Sequence, residues 1–140
     1  MAAKSLARAT SALPESEKIT INLGFVDLGH VDLLVQEGFY SNRSDFIRTA
    51  IRQQLLQHAE VLREVVSRKT LTLGLHRFTR AELERVRASG ERLHVRVLGL
   101  ASFAPDVTPE LARDAIESLC VLGALDASPD VKSALADRMR

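Results

Sequence analysis

The stretch Lys18-Ile19-Thr20-Ile21-Asn22-Leu23 (KITINL) alternates polar and apolar side chains, with β-branched residues near its centre. A period of two residues is typical of a β-strand with one buried and one exposed face. We therefore predict a strand over these residues. Its inward face consists of Ile19, Ile21 and Leu23, and its outward face of Lys18, Thr20 and Asn22.

Two helical patterns follow this strand. Apolar residues recur at helical spacing over residues 26–35, and Gly38 is suited to the left-handed position that ends a helix. Ser41 and Asn42 then offer side chains that cap a helix, and a second apolar series follows without Gly or Pro. We predict that the second helix extends over residues 43–68.

A single strand followed by two helices has an unpaired edge on each side and cannot fold alone. The simplest partner is the same strand from a second copy, paired antiparallel about a two-fold axis. We therefore predict an obligate homodimer. Its core contains Ile19, Ile21 and Leu23 of the strand together with Ile47 and Ile51 of the second helix.

Residues 18–56 resemble the ribbon-helix-helix family of DNA-binding proteins, especially the N-terminal domain of nickel-responsive repressors. The similarity is carried by KITINL and by GFYSNRSDFIRTAIRQQL at residues 38–55, at an ungapped spacing. The resemblance implies that the paired strands enter the major groove of double-stranded DNA, where Lys18, Thr20 and Asn22 contact base edges. Lys donates to guanine, Asn pairs with adenine at two points, and Thr offers a hydroxyl and a methyl group.

The resemblance also implies contacts to DNA phosphates at the start of the second helix. The backbone amides and the positive dipole end of a helix attract anions. The residues concerned are Ser41, Asn42, Arg43 and Ser44, with Arg48 one turn further along.

The C-terminal half contains an internal repeat. Residues 96–112 (RVLGLASFAPDVTPELA) and 120–136 (CVLGALDASPDVKSALA) match at an offset of 24 residues, and a fainter copy includes Gly74, 25 residues before Gly99. Each copy is predicted to be a short strand that ends in Gly, a turn and a short helix. Such alternation at a fixed period indicates parallel strands stacked side by side. The predicted strands span residues 70–75, 93–100 and 118–122.

The chain is thus predicted to be an α/β protein in three parts. Residues 1–17 form a flexible arm, residues 18–68 a ribbon-helix-helix domain for DNA binding and dimerisation, and residues 69–140 about three strand-turn-helix repeats of 25 residues each. Because terminal repeats have only one neighbour, we expect residues 70–140 to join dimers into tetramers or larger assemblies, or to bind a protein partner.

Composition narrows the function. Lys and Arg number 19 against 18 Asp and Glu, so DNA binding must come from local placement of charge. His76, His94 and the single cysteine, Cys120, occupy different places in their repeats, so we predict no metal site and no cofactor. No phosphate-binding loop or catalytic set is present, and we predict that the chain is not an enzyme. No apolar run reaches the roughly 18 residues of a membrane span, which favours a cytoplasmic, nucleoid-associated protein.

The sequence therefore predicts a site-specific transcriptional regulator that acts as a repressor. Two alternatives remain. The chain could be an antitoxin whose C-terminal segment wraps a toxin, or a scaffold that does not bind DNA and polymerises through its repeats.

Overall fold

The computed structural model describes residues 13–140. The predicted arm lies largely outside the described residues, since only its last five positions are included. The chain forms two compact units. We call Lys18–Lys69 the N-terminal unit and Thr70–Arg140 the C-terminal unit. None of the helices within residues 13–140 combines the length and apolarity needed to cross a membrane.

The N-terminal unit contains three helices: α1 (Phe25–Gln36), α2 (Arg43–Gln57) and α3 (Ala59–Arg68). Helix α1 ends as predicted, because Gly38 takes a φ of 84° and its amide donates to the Val35 carbonyl at 3.1 Å. The Phe39 amide donates to the Leu34 carbonyl at 3.0 Å, which completes a Schellman motif. This Gly therefore has the conformation that the sequence predicted.

The predicted single helix over residues 43–68 is wrong, because the chain bends at His58 between α2 and α3. The His58 amide donates to the Leu55 carbonyl, three residues back, at 3.1 Å. Regular bonding resumes at once, since the Leu62 amide donates to the His58 carbonyl at 2.9 Å. One tightened turn thus divides the helix, although no Gly or Pro at this point of the sequence indicates a break.

The predicted strand over residues 18–23 is not formed in the described single chain, where these residues belong to no helix or strand. The side chains predicted to face inward are exposed, at 70% for Ile19, 55% for Ile21 and 42% for Leu23. A strand exists only through hydrogen bonds to a neighbour, and our prediction required that neighbour to come from a second copy.

The C-terminal unit is built on a three-stranded sheet with the order β1 (Thr72–Phe78), β2 (Leu93–Phe103) and β3 (Ile116–Asp126). Both neighbouring pairs are parallel. Helices α4 (Arg80–Ser89) and α5 (Pro109–Ala115) connect the strands, and α6 (Pro129–Leu135) and a 3₁₀ turn (Ala136–Arg138) follow β3. Strand and helix therefore alternate along this unit.

Each of these helices begins at a hydroxyl cap. The side chains of Thr79, Thr108 and Ser128 each accept a hydrogen bond from the amide three residues ahead, at 3.2 Å. Pro109 and Pro129 occupy the first helical position, where a missing amide hydrogen costs nothing. The helices cover a core that includes Leu83, Leu111, Leu119, Val131 and Leu135, all at most 2% exposed.

Three glycines lie side by side across the sheet, with Gly74 paired to Gly99 and Gly99 to Gly123. All have positive φ, at 102°, 138° and 124°. A Cβ on Gly99 would lie 2.2 Å from the Gly74 carbonyl oxygen, and one on Gly123 would lie 2.1 Å from that of Gly99. The prediction that the strands end at these glycines is wrong, because β2 and β3 continue to Phe103 and Asp126. The glycines permit close backbone approach inside the strands.

Candidate nucleic-acid interface

The predicted base-contacting residues Lys18, Thr20 and Asn22 are all exposed. They precede α1, and within the described residues none of the three takes part in a hydrogen bond or an ion pair. Their donors and acceptors are therefore available to a ligand. These side chains alternate along the chain with the exposed Ile19 and Ile21.

The start of α2 is fixed by reciprocal side-chain caps. The Asn42 side-chain oxygen accepts a hydrogen bond from the Asp45 amide at 2.8 Å, and an Asp45 carboxylate oxygen accepts one from the Ser41 amide at 3.0 Å. The Tyr40 and Phe46 rings meet edge to face with centroids 5.0 Å apart, which holds the chain as it enters the helix. These contacts define the conformation of the chain at the start of α2.

These caps determine which of the predicted phosphate donors are free. The Ser41 amide already donates within the chain, and the Asn42 side-chain oxygen is the acceptor that caps the helix. The amides of Arg43 and Ser44 lie in the first turn, where a helix provides no carbonyl acceptor. Those two amides point outward from the helix end and form its anion-binding potential.

Arg43 makes an ion pair that the sequence did not reveal. Its Nε donates to Asp32 Oδ1 at 2.7 Å and its Nη2 to Asp32 Oδ2 at 2.8 Å. The Arg43 hydrogen bond lowers the pKa of the Asp32 carboxyl, and the same hydrogen bond raises the pKa of the guanidinium. The pair ties α1 to α2 and uses two of the five N–H groups of Arg43, so three remain for another acceptor.

Two further charges flank the helix start. Asp45 lies in its first turn, where its carboxylate favours the positive dipole end but repels an incoming phosphate. Arg48 is exposed one turn further along, as predicted. The anion-binding potential of this end therefore depends on the cations Arg43 and Arg48 outweighing Asp32 and Asp45.

The residues weighed as metal ligands do not form one group. His76 and His94 line a common cleft of about 180 Å³ together with Glu82, but Cys120 is not part of it. The His76 Nε2 lies 3.7 Å from Glu82 Oε1, and the His94 Nδ1 lies 2.9 Å from the Ser118 hydroxyl. Within residues 13–140, no three His, Cys, Asp or Glu side chains are placed to hold a metal ion.

Comparison with known proteins gives a family but no individual relative. Neither the curated proteins nor the solved structures contain a match to this chain. A family model described as the Ribbon-Helix-Helix transcriptional regulator family matches residues 14–132. The match confirms the resemblance based on residues 18–56 and extends it through most of the C-terminal unit, for which the sequence alone suggests no family. The chain therefore belongs to the Ribbon-Helix-Helix transcriptional regulator family.

Proposed function

We propose that this protein is a homodimeric, site-specific repressor that reads the major groove of DNA with a two-stranded antiparallel ribbon. The observation that carries the proposal is the segment 18–23. Its polar and apolar side chains alternate along the chain, all of them are exposed, and a well-capped helix follows in the same unit. Membership of a family of transcriptional regulators supports DNA as the ligand.

Pairing of this segment with its counterpart in a second copy accounts for its exposed apolar side chains. Burial of an Ile or Leu side chain contributes about 1.5–3 kcal/mol. Ile19, Ile21 and Leu23 from both copies would then lie on one face of the ribbon, over Ile47 and Ile51 of α2. Because side chains alternate across a strand, Lys18, Thr20 and Asn22 would form the opposite face and contact the bases.

Phosphate contacts at the start of α2 would set the register of the ribbon on the duplex. The amides of Arg43 and Ser44, the Ser41 and Ser44 hydroxyls and the remaining guanidinium hydrogens of Arg43 are the donors. The Arg43 fork is paired with Asp32 beside the helix end. Asn42 acts there as the cap that orients the turn, and Arg48 adds positive charge.

We further infer that the C-terminal unit consists of three copies of one strand-turn-helix repeat that joins dimers or binds a partner. The aligned glycines and the recurring hydroxyl caps support this architecture. The core of this unit also disfavours an antitoxin, whose toxin-binding segment orders only on binding. As a repressor the protein would block its promoter by occupancy, at the nucleoid in the cytoplasm.

The test is the double variant Thr20→Ala, Asn22→Ala in the full chain. An operator is first selected from random DNA with the wild-type protein. Removal of each base-reading side chain costs about 1–3 kcal/mol, and the two-fold axis doubles this cost in the dimer. We therefore expect operator affinity to fall to the level of random DNA while circular dichroism is unchanged.

The matched control is Lys132→Ala, Ser133→Ala, which removes two exposed polar side chains from α6. It should retain full preference for the operator. Unchanged discrimination between operator and random DNA in the Thr20→Ala, Asn22→Ala protein would refute the assignment of the ribbon as the reading element.

A further inference from the structure

Among residues 13–140, no helix layer covers one face of the three-stranded sheet. Connections between neighbouring parallel strands are right-handed, so consecutive crossovers lie on the same side of the sheet. Leu83 of α4 and Leu111 of α5 belong to one core cluster with Val97 and Ala101 of β2. Side chains that alternate with these two strand residues therefore point to the opposite side.

This opposite side, which we call the open face, is apolar at its centre. The register aligns its side chains in two rows across the strands. Three of them are strongly exposed, with Leu73 at 64%, Leu75 at 56% and Leu122 at 48%. The rows are Leu73, Leu98 and Leu122, and Leu75, Leu100 and Ala124. A contiguous apolar surface of this kind marks an interaction site.

The next row of the open face carries opposite charges at its two edges. It consists of Arg77 on β1, Ser102 on β2 and Asp126 on β3. Ser102 is 1% exposed and donates to Asp126 Oδ2 at 2.9 Å. Arg77 is exposed, and within the described residues it forms no ion pair. The cation Arg77 and the anion Asp126 therefore lie at the same register, on the two strands that flank β2.

We propose that the open face packs against the open face of a second copy, with the two-fold axis parallel to β2. Rotation about this axis keeps the strand direction and exchanges the two edges of the sheet. Each β1 then lies over the β3 of the other copy, so that Leu73 covers Leu122 and Leu75 covers Ala124. Arg77 of each copy lies over Asp126 of the other, which gives two ion pairs.

Charge complementarity selects this axis. A two-fold axis perpendicular to the strands would place β1 over β1 with its direction reversed. Arg77 would then lie at the opposite end of the sheet from Asp126. The axis along β2 is the one that matches both the apolar rows and the charged row.

Pairing through the sheet edge is less favourable than pairing through the open face. The outer edge of β3 is partly occupied by the end of the chain, since Leu119 forms a parallel bridge with Met139. The Arg140 amide donates to the Leu119 carbonyl at 2.9 Å. Addition of another strand at this edge would have to displace these bonds. Leu73, Leu75 and Leu122 on the open face are exposed among the described residues, and the pairing proposed there does not depend on DNA binding.

Cross-linking of single cysteines tests the proposal in the full chain. Cys120 is paired with Arg96 and lies on the open face, so it is first replaced by Ser. In this background Leu98→Cys places a thiol beside the proposed axis, and Arg85→Cys places the control thiol on exposed α4. Packed sheets are about 10 Å apart, so a bismaleimide of that reach is the cross-linker.

We expect Leu98→Cys to form covalent dimers roughly tenfold faster or more than Arg85→Cys, because paired faces hold the two thiols at a millimolar effective concentration. Equal rates for the two variants would overturn the proposal. This readout contains no DNA, so failure of the proposed repressor function leaves it unaffected.

A charge exchange then tests the direction of the axis. Arg77→Glu and Asp126→Lys are each added to the Leu98→Cys, Cys120→Ser chain. Each variant alone places like charges together in both ion pairs, so its cross-linking should slow. The two variants are then unfolded and refolded together. In the mixed dimer both ion pairs again join opposite charges. The mixed dimer should therefore make up more than the one half of all cross-linked dimers that random pairing gives. Random pairing in mass spectrometry of the cross-linked products would overturn the proposed axis and with it the proposal.

Discussion

The two units of this protein differ in how much of their apolar surface they bury. In the N-terminal unit Val31 is the one buried hydrophobic residue among those described, whereas the C-terminal unit contains all the other buried hydrophobic side chains. Phe25 is 93% exposed in the first unit, and Leu83 is fully buried in the second. A single copy therefore provides a core for the C-terminal unit but buries little apolar surface in the N-terminal unit, where our proposal supplies a second copy.

This difference has a consequence for how the two units bind. An element that lacks its own core buries its apolar side chains only against a partner, so its folding and its association are one event. Under the proposed function, residues 18–23 fold and associate in this way. The C-terminal sheet instead keeps its strands paired within one chain and offers only one face.

The largest expected effect is a loss of stability in the C-terminal unit, with the N-terminal unit unchanged. Gly99→Ala adds a Cβ at 2.2 Å from the Gly74 carbonyl oxygen, at a φ of 138°. Gly74→Ala is strained by its φ of 102° but its Cβ meets nothing within 4 Å. We expect Gly74→Ala to cost about 1–3 kcal/mol and Gly99→Ala to cost more, because overlap is added to backbone strain.

Urea unfolding of both variants, followed by far-UV circular dichroism, measures this difference. The Gly99→Ala protein should lose the transition of the C-terminal unit at lower urea than the Gly74→Ala protein. Equal midpoints would show that close approach between the strands is not what requires a Gly at position 99.

A smaller effect concerns the N-terminal unit alone. Arg43→Ala should weaken binding to operator and to random DNA nearly equally, since a phosphate contact does not read sequence. The slope of log affinity against log salt should become shallower by roughly 1.8 per dimer, at about 0.9 for each phosphate that is no longer neutralised. Binding titrations between low and physiological salt measure the slope.

Asp32→Asn is the matched variant for this measurement. It removes the carboxylate that holds the guanidinium fork and keeps Arg43 itself. We expect its salt slope to stay at the wild-type value or to steepen, because Arg43 is released to phosphate. A slope that falls as far as in Arg43→Ala would mean that the ion pair with Asp32, and not a phosphate contact, is the role of Arg43.

Local patterns predict those features that depend on local physics. Gly38 ends α1 because a left-handed residue is needed there, and Asn42 caps α2 because its side chain reaches the amide three residues ahead. The repeat of Val-Leu-Gly predicts parallel strands side by side, and the strands of the C-terminal unit are parallel. The predicted strand ends are wrong because Gly99 and Gly123 do not terminate their strands, but are required inside them by neighbouring backbone.

Features that depend on residues far apart in the sequence cannot be predicted from local patterns. Arg43 and Asp32 are 11 residues apart in two different helices, and no sequence period links them. The bend at His58 arises from one tightened hydrogen bond and not from a helix-breaking residue. The open face of the sheet is visible only once the register of the three strands is known.

Hydrogen exchange at the amides of residues 18–23 in the full chain is the most direct test of the ribbon. In an antiparallel pair of strands, every second residue of each strand donates to the other strand. At concentrations where light scattering gives at least a dimer, we predict that alternate amides of this segment are protected and that dilution to the single chain removes the protection. Uniformly fast exchange over residues 18–23 in the dimer would contradict a paired ribbon.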